Sequence, residues 1–188
     1  MRTERRLALV TFRERSFPSR RQMIYGYLAC LFPIQTWSIY NLLHEVPAWL
    51  LQLNVWDLIA IVSYTQLFAL LESIVVFVPL LLAAGLLPRR WFSDKFVAIS
   101  TGVVFLSAAW FIVAHFNQAA VQSLGYWQLL PWLGLYLASQ LVLFSLVQLS
   151  HRLEVAIGSF ADRLAAVSAL YFIIALLSVP VVVVRNVS

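Results

Sequence analysis

Between Leu58 and Leu87 the chain runs for thirty residues with one charged side chain, Glu72. About 20 apolar residues in a helix cover the roughly 30 Å hydrocarbon core of a bilayer, so this run is long enough to cross it. No water is available there to satisfy backbone N–H and C=O groups, which leaves a helix or a closed barrel as the spanning form. The run shows no apolar-polar alternation, so it reads as a helix.

Four more segments have the same character. Spans are expected at about 24–43, 58–87, 96–116, 129–149 and 164–184. Composition agrees: 62% of residues are hydrophobic and 11% charged, against about 45–50% and about 25% in soluble domains. The expected fold is therefore an all-α integral membrane protein, a bundle of about five transmembrane helices. Residues 1–22 form a basic cytoplasmic arm and 23–188 a single transmembrane domain. Pro79 removes a backbone donor and marks a kink site in the second span; Pro180 lies near the end of the fifth.

The basic residues set an orientation. The arm holds Arg2, Arg5, Arg6, Arg13, Arg15, Arg20 and Arg21; the loop after the second span holds Arg89, Arg90 and Lys95; the loop after the fourth holds Arg152 and Arg163. With the N-terminus cytoplasmic and five crossings, these twelve of the thirteen Lys and Arg face inward, and Arg185 alone is outside with the C-terminus. That is the bias of the positive-inside rule, and it favours an odd number of crossings. The setting expected is a bacterial-type inner membrane. The stretch after Arg21 is too long and too polar for a cleavable signal, so it reads as a retained span.

The connections carry weaker signals. Pro47 to Asp57 has few charges and two Trp, which suggests an element lying flat in the outer interface. Asn117 to Gln128 is polar and ends in Tyr126 and Trp127, suited to the headgroup level. His151 to Arg163 reads as a cytoplasmic loop able to form a short amphipathic helix. The arm's mix of Arg with Leu7, Val10 and Phe12 suits an anionic leaflet. Asn186-Val187-Ser188 matches a glycosylation sequon, but one too close to the membrane for use.

Three sets of residues are candidates for function. The first is a polar layer at mid-depth: Glu72, with Gln35, Ser107, Ser139 and Gln140 near the centres of other spans. Gln35, Gln140 or a serine is expected to donate to the Glu72 carboxyl. Intramembrane ionisable groups mark proton relays and substrate paths, or serve as glue between helices. The second is an outer-face group, His44, His115 and Asp57, with Glu45 nearby. Histidines on different helices can ligate a haem or a chlorophyll-type pigment, and zinc needs three or four convergent ligands. The third is small residues four apart (Ala69 and Ser73, Ala98 and Gly102, Gly134 and Ala138, Ala165 and Ala169), which let helices approach closely. The lone Cys30 excludes an internal disulfide and a CxxC pair.

No nucleophile–base pair, nucleotide loop or internal repeat stands out, and no soluble domain fits. The expected role is a small non-enzymatic integral subunit that scaffolds or stabilises a larger membrane complex. The alternatives are a small oligomeric transporter or channel using Glu72 as its proton or cation-coupling residue, and a haem- or pigment-binding subunit. The expected partners are the bilayer and other integral membrane subunits, with bound lipid but no metal, no other cofactor and no nucleic acid.

Overall fold

A computed structural model describes residues 17–89, 91–123 and 126–187. Most of the basic arm, Arg90, the Tyr126 side chain and Ser188 of the sequon lie outside the described residues. Five long helices and one short one follow in order: α1 Arg20–Trp49, α2 Val55–Leu86, α3 Phe96–Phe116, α4 Gln118–Ser123, α5 Tyr126–Leu149 and α6 His151–Val187. No strand occurs among the described residues.

Local chemistry explains the ends. Ser19 caps α1 in a capping box: its Oγ accepts from the Gln22 amide at 3.3 Å, and Gln22 Oε1 accepts from the Ser19 amide at 2.8 Å. Asn54 caps α2 by accepting from the Asp57 amide at 2.8 Å, and Asp57 adds negative charge to the first turn. Leu87 is extended, as the residue before Pro88 must be, and α2 stops there. Pro33, Pro47, Pro79, Pro131 and Pro180 all lie inside helices, and helical structure continues through each. Spanning helices tolerate this because neighbouring groups take up the freed carbonyls.

Four helices are long and apolar enough to cross a membrane: α2, α3, Leu129–Leu149 of α5, and α6. The protein is thus an all-helical, multi-pass integral membrane protein. Two expectations for the connections are corrected. His151–Arg163 is not a loop or a separate surface helix, because α6 runs unbroken for 37 residues from His151. Ser150 alone separates it from α5, its Oγ accepting from the Leu153 amide at 3.3 Å as an N-cap. No proline follows until Pro180, so nothing stops the helix once it has started. On the other side, Pro47–Trp49 completes α1 and Val55–Asp57 opens α2. Only a turn joins them, Leu53 N–H bonding Trp49 C=O at 2.8 Å, so no interfacial element lies between.

Contacts at the two ends fix how the helices alternate. At one end Gln22 Nε2 donates to Ser93 C=O at 3.4 Å and Ser93 Oγ donates to Ala84 C=O at 3.1 Å. There, too, Lys95 Nζ lies 2.8 Å from Val147 C=O and 3.2 Å from the Glu154 carboxylate. The starts of α1, α3 and α6 therefore meet the ends of α2 and α5. At the other end Arg185 pairs with Asp57 at 2.6 Å, Asn186 Nδ2 donates to Tyr64 Oη at 2.6 Å, and the rings of Trp37 and His115 lie 4.9 Å apart.

α1 and α6 are the central pair. Each packs on the other and on both α2 and α3, while α5 lies outside against α3 and, more lightly, α6. The buried faces combine large apolar side chains, Leu31, Leu70, Phe96 and Ile99 among them, with many small and polar ones. The small and polar ones are Ala60, Ser63, Gln66, Ala69 and Ser73 on α2, Ala161, Ser168, Ala175 and Ser178 on α6, and Gly26, Ala29, Cys30 and Gln35 on α1. Lipid is as apolar as leucine, so association rests on close backbone approach and hydrogen bonds, for which small residues are suited. Ala69, Ser73 and Ala98 serve in that way, whereas Gly134 faces open space.

Candidate functional site

Glu72 lies on the outer surface of α2, not among the other polar groups. It is exposed, and it makes no hydrogen bond or ion pair among the described residues. Its neighbour Ser73 is the residue that points inward. Ser73 is fully buried and hydrogen-bonds Tyr27 of α1 across 3.1 Å. A shift of one position turns a helical side chain through about 100°, which is enough to separate an inside group from an outside one.

The remaining members of the expected polar layer divide into two pairs of helices. Between α3 and α5, Gln140 Nε2 donates to Ser107 Oγ at 3.0 Å, and the Ser107 and Tyr136 hydroxyls lie 3.0 Å apart. One turn away Trp110 Nε1 donates to Ser139 Oγ at 3.0 Å. Ser107 and Gln140 are thus brought together as a link between helices. Between α1 and α2, fully buried Gln35 donates to the Gln66 carbonyl at 3.4 Å. The side-chain carbonyl oxygens of Gln35, Gln66 and Gln140 are buried without a partner among the described residues. Tyr27, Gln66, Tyr136 and Trp110 were not singled out from sequence. The signal available was their four-residue spacing from Leu31, Leu70, Gln140 and Ala114, common enough in membrane helices to carry little weight.

The outer-face group does not converge. Asp57 is paired with Arg185. His115 packs edge-on against Trp37 and Phe116, with ring centroids at 4.9 and 5.6 Å. His44 is exposed near the end of α1. Among the described residues no three His, Cys, Asp or Glu side chains lie close enough to hold a metal.

The basic end has an open cleft of about 220 Å³ beside Gln22, Asp94, Lys95 and Glu154. Its one ammonium is already engaged: Lys95 holds Glu154 and also caps α5 through the carbonyls of Val147 and Gln148, at 2.8 and 3.2 Å. Asp94 is likewise held by Arg89 at 2.9 Å. This cluster ties the ends of three helices, α3, α5 and α6, together and leaves little charge for a ligand.

Glu72 is the ionisable group that stands exposed in the middle of an apolar helix without a partner among the described residues. A carboxylate facing lipid near mid-depth costs about 2.5–3.5 kcal/mol on insertion scales. Its short side chain cannot reach the headgroups from there, as a Lys or Arg would. Comparison with family models, with curated proteins and with solved structures finds no match.

Proposed function

We propose that this protein is a small, non-enzymatic integral subunit of a larger membrane assembly, joined to its neighbours through lipid-facing surfaces of the bundle. The observation that carries this reading is Glu72, exposed in the middle of a spanning helix and without a partner among the described residues. An external partner supplies the hydrogen bonds or the counter-charge that the described residues do not. α5 gives secondary support, since it packs on few neighbours and keeps Leu133, Leu137 and Leu141 exposed. Bound lipid fills what protein does not cover.

In this reading the chain crosses a bacterial-type inner membrane five times, with its N-terminus in the cytoplasm and its C-terminus outside. α1 is the fifth crossing although it is the least apolar of the long helices. Its Gln35 needs no tolerance from lipid, because α2, α3 and α6 surround it. Among the described residues, Arg185 is the one basic side chain outside, and Asp57 neutralises it.

The test is extraction in a mild detergent followed by native mass spectrometry. The expected species is this chain in a complex with other membrane proteins; a lone monomer would overturn the proposal. One further reading draws on the same observation: copies of the chain packed around Glu72 form a proton or cation path between them. Under that reading Glu72→Gln abolishes pH-dependent uptake into liposomes while leaving the oligomer intact. Under the subunit reading Glu72→Gln loosens the complex instead.

A further inference from the structure

We infer that the α2 face centred on Glu72 docks a membrane-spanning helix of a different protein, one that presents a Lys or Arg side chain at mid-depth. This rests on the subunit reading above and adds the chemistry of the partner. The outward face of α2 runs through Phe68, Glu72, Val75, Pro79 and Leu82, spaced alternately four and three apart. Phe68, Val75 and Leu82 are 61%, 70% and 58% exposed, so Glu72 sits within an apolar stripe that none of the described helices covers. Alternate four and three spacing is the seam of a helix pair in the left-handed, shallow-angle geometry common in membrane bundles.

The depth of the charge selects the partner. Copies of one membrane protein share an orientation, so a second copy meets Glu72 only with residues at Glu72's own depth. The described basic residues lie elsewhere. Arg20, Arg21, Arg89, Lys95 and Arg152 cluster toward the basic end, and Arg185 is held at the other end by Asp57. Arg163 is the nearest in depth. Counting from the Arg185–Asp57 pair, Arg163 lies about 33 Å down α6 and Glu72 about 22 Å down α2, at 1.5 Å per residue. That leaves Arg163 roughly 10 Å nearer the basic end. Pairing two α2 helices face to face sets one carboxyl against another, and like charges there repel. A cation on a foreign helix meets Glu72 as a charge-assisted hydrogen bond in low dielectric, where such bonds are strongest.

The experiment uses the full-length protein, labelled with one fluorophore, in phosphatidylcholine vesicles. The probes are synthetic leucine-rich spanning helices carrying the acceptor dye, with Lys, Leu or Glu at the central position. Energy transfer to the central-Lys helix is expected at concentrations at least about tenfold lower than to the all-Leu helix. Glu72→Gln should reduce the Lys helix to the level of the Leu helix while far-ultraviolet circular dichroism stays unchanged; as an exposed residue, Glu72 tolerates that exchange. Equal transfer to all three helices, or a Lys preference that survives Glu72→Gln, overturns the inference. So does energy transfer between two labelled copies that Glu72→Gln abolishes and the Lys helix does not compete away, which would assign the face to a second copy. A chain that extracts inside a large complex yet shows no Lys preference retires this inference and leaves the subunit reading standing. A lone monomer that still prefers the Lys helix does the reverse.

Discussion

Cys30 offers a reporter of packing that needs no engineering. Its side chain is fully buried on α1. A membrane-permeant maleimide should leave it unmodified in the folded protein and label it fully once sodium dodecyl sulfate unfolds the bundle. Rapid labelling of the native protein would contradict the placement of α1. One turn earlier stands Gly26, where a Cβ would sit 2.6 Å from a ring carbon of Phe96, itself fully buried. With no room for the ring to move away, Gly26→Ala should cost about 1–3 kcal/mol, the usual range for an overpacked core. A lower midpoint of thermal unfolding in detergent and faster Cys30 labelling would both register it. Ser107 and Gln140 were legible from sequence as polar groups at equal depth, and the fold joins them. Replacing Gln140 by Leu should cost about 0.6–1.7 kcal/mol, as interhelical hydrogen bonds in membranes do, read by unfolding in mixed micelles. Gln66 was not legible in the same way, because it serves Gln35 with its backbone carbonyl, which every residue possesses.

The helices separate what hydropathy can find from what it cannot. α3 spans Phe96–Phe116, the limits expected from its apolar run, because its ends coincide with the change from apolar to polar side chains. α6 extends well beyond its apolar part, since helix formation depends on backbone hydrogen bonds and caps rather than on hydropathy. At about 1.5 Å per residue it is roughly 55 Å long, beyond the 40–45 Å of a bilayer with headgroups, so it tilts or projects. Its C-terminal turn is tied to the first turn of α2 by the Arg185–Asp57 pair, whose side chains are 37% and 29% exposed. A pair this accessible is worth about 0.2–1 kcal/mol. Asp57→Asn and Arg185→Gln should each lower the unfolding midpoint slightly, and their effects should not add, because either change removes the same contact. The exchange of charges, Asp57→Arg with Arg185→Asp, should recover most of the loss in low salt. Full additivity of the single changes would show that the two side chains act independently.

For the whole molecule, the five crossings proposed above predict that the two termini face opposite sides of the membrane. A phosphatase that folds only outside the cytoplasm should be active when fused after Ser188 and inactive when fused before Met1. Activity at both ends, or at neither, would remove α1 or another helix from the count of spans. α1 carries Gln35, Thr36 and Asn41 and is packed on α2, α3 and α6, where protein rather than lipid meets its polar groups. Place in the bundle does not follow hydropathy for the other helices: α5 lies at the edge although it is the least apolar of the four helices long and apolar enough to span, and α6, whose apolar part is the most hydrophobic, is central.

The apolar runs alone determined that the chain is helical, that it belongs in a membrane, where most of the spans lie, and that Glu72 sits near the middle of one. Each of these depends on position along a helix, and length and hydropathy carry that information. Only the tertiary structure decided which way each side chain faces. In water, an amphipathic stripe announces the buried face of a helix. In a bilayer, lipid and protein interior are equally apolar, so the sequence of a spanning helix carries little mark of its inner and outer sides. That is why Ser73 and Glu72, adjacent in sequence and both polar, part company: one bonds Tyr27 inside the bundle, and the other faces out without a partner among the described residues.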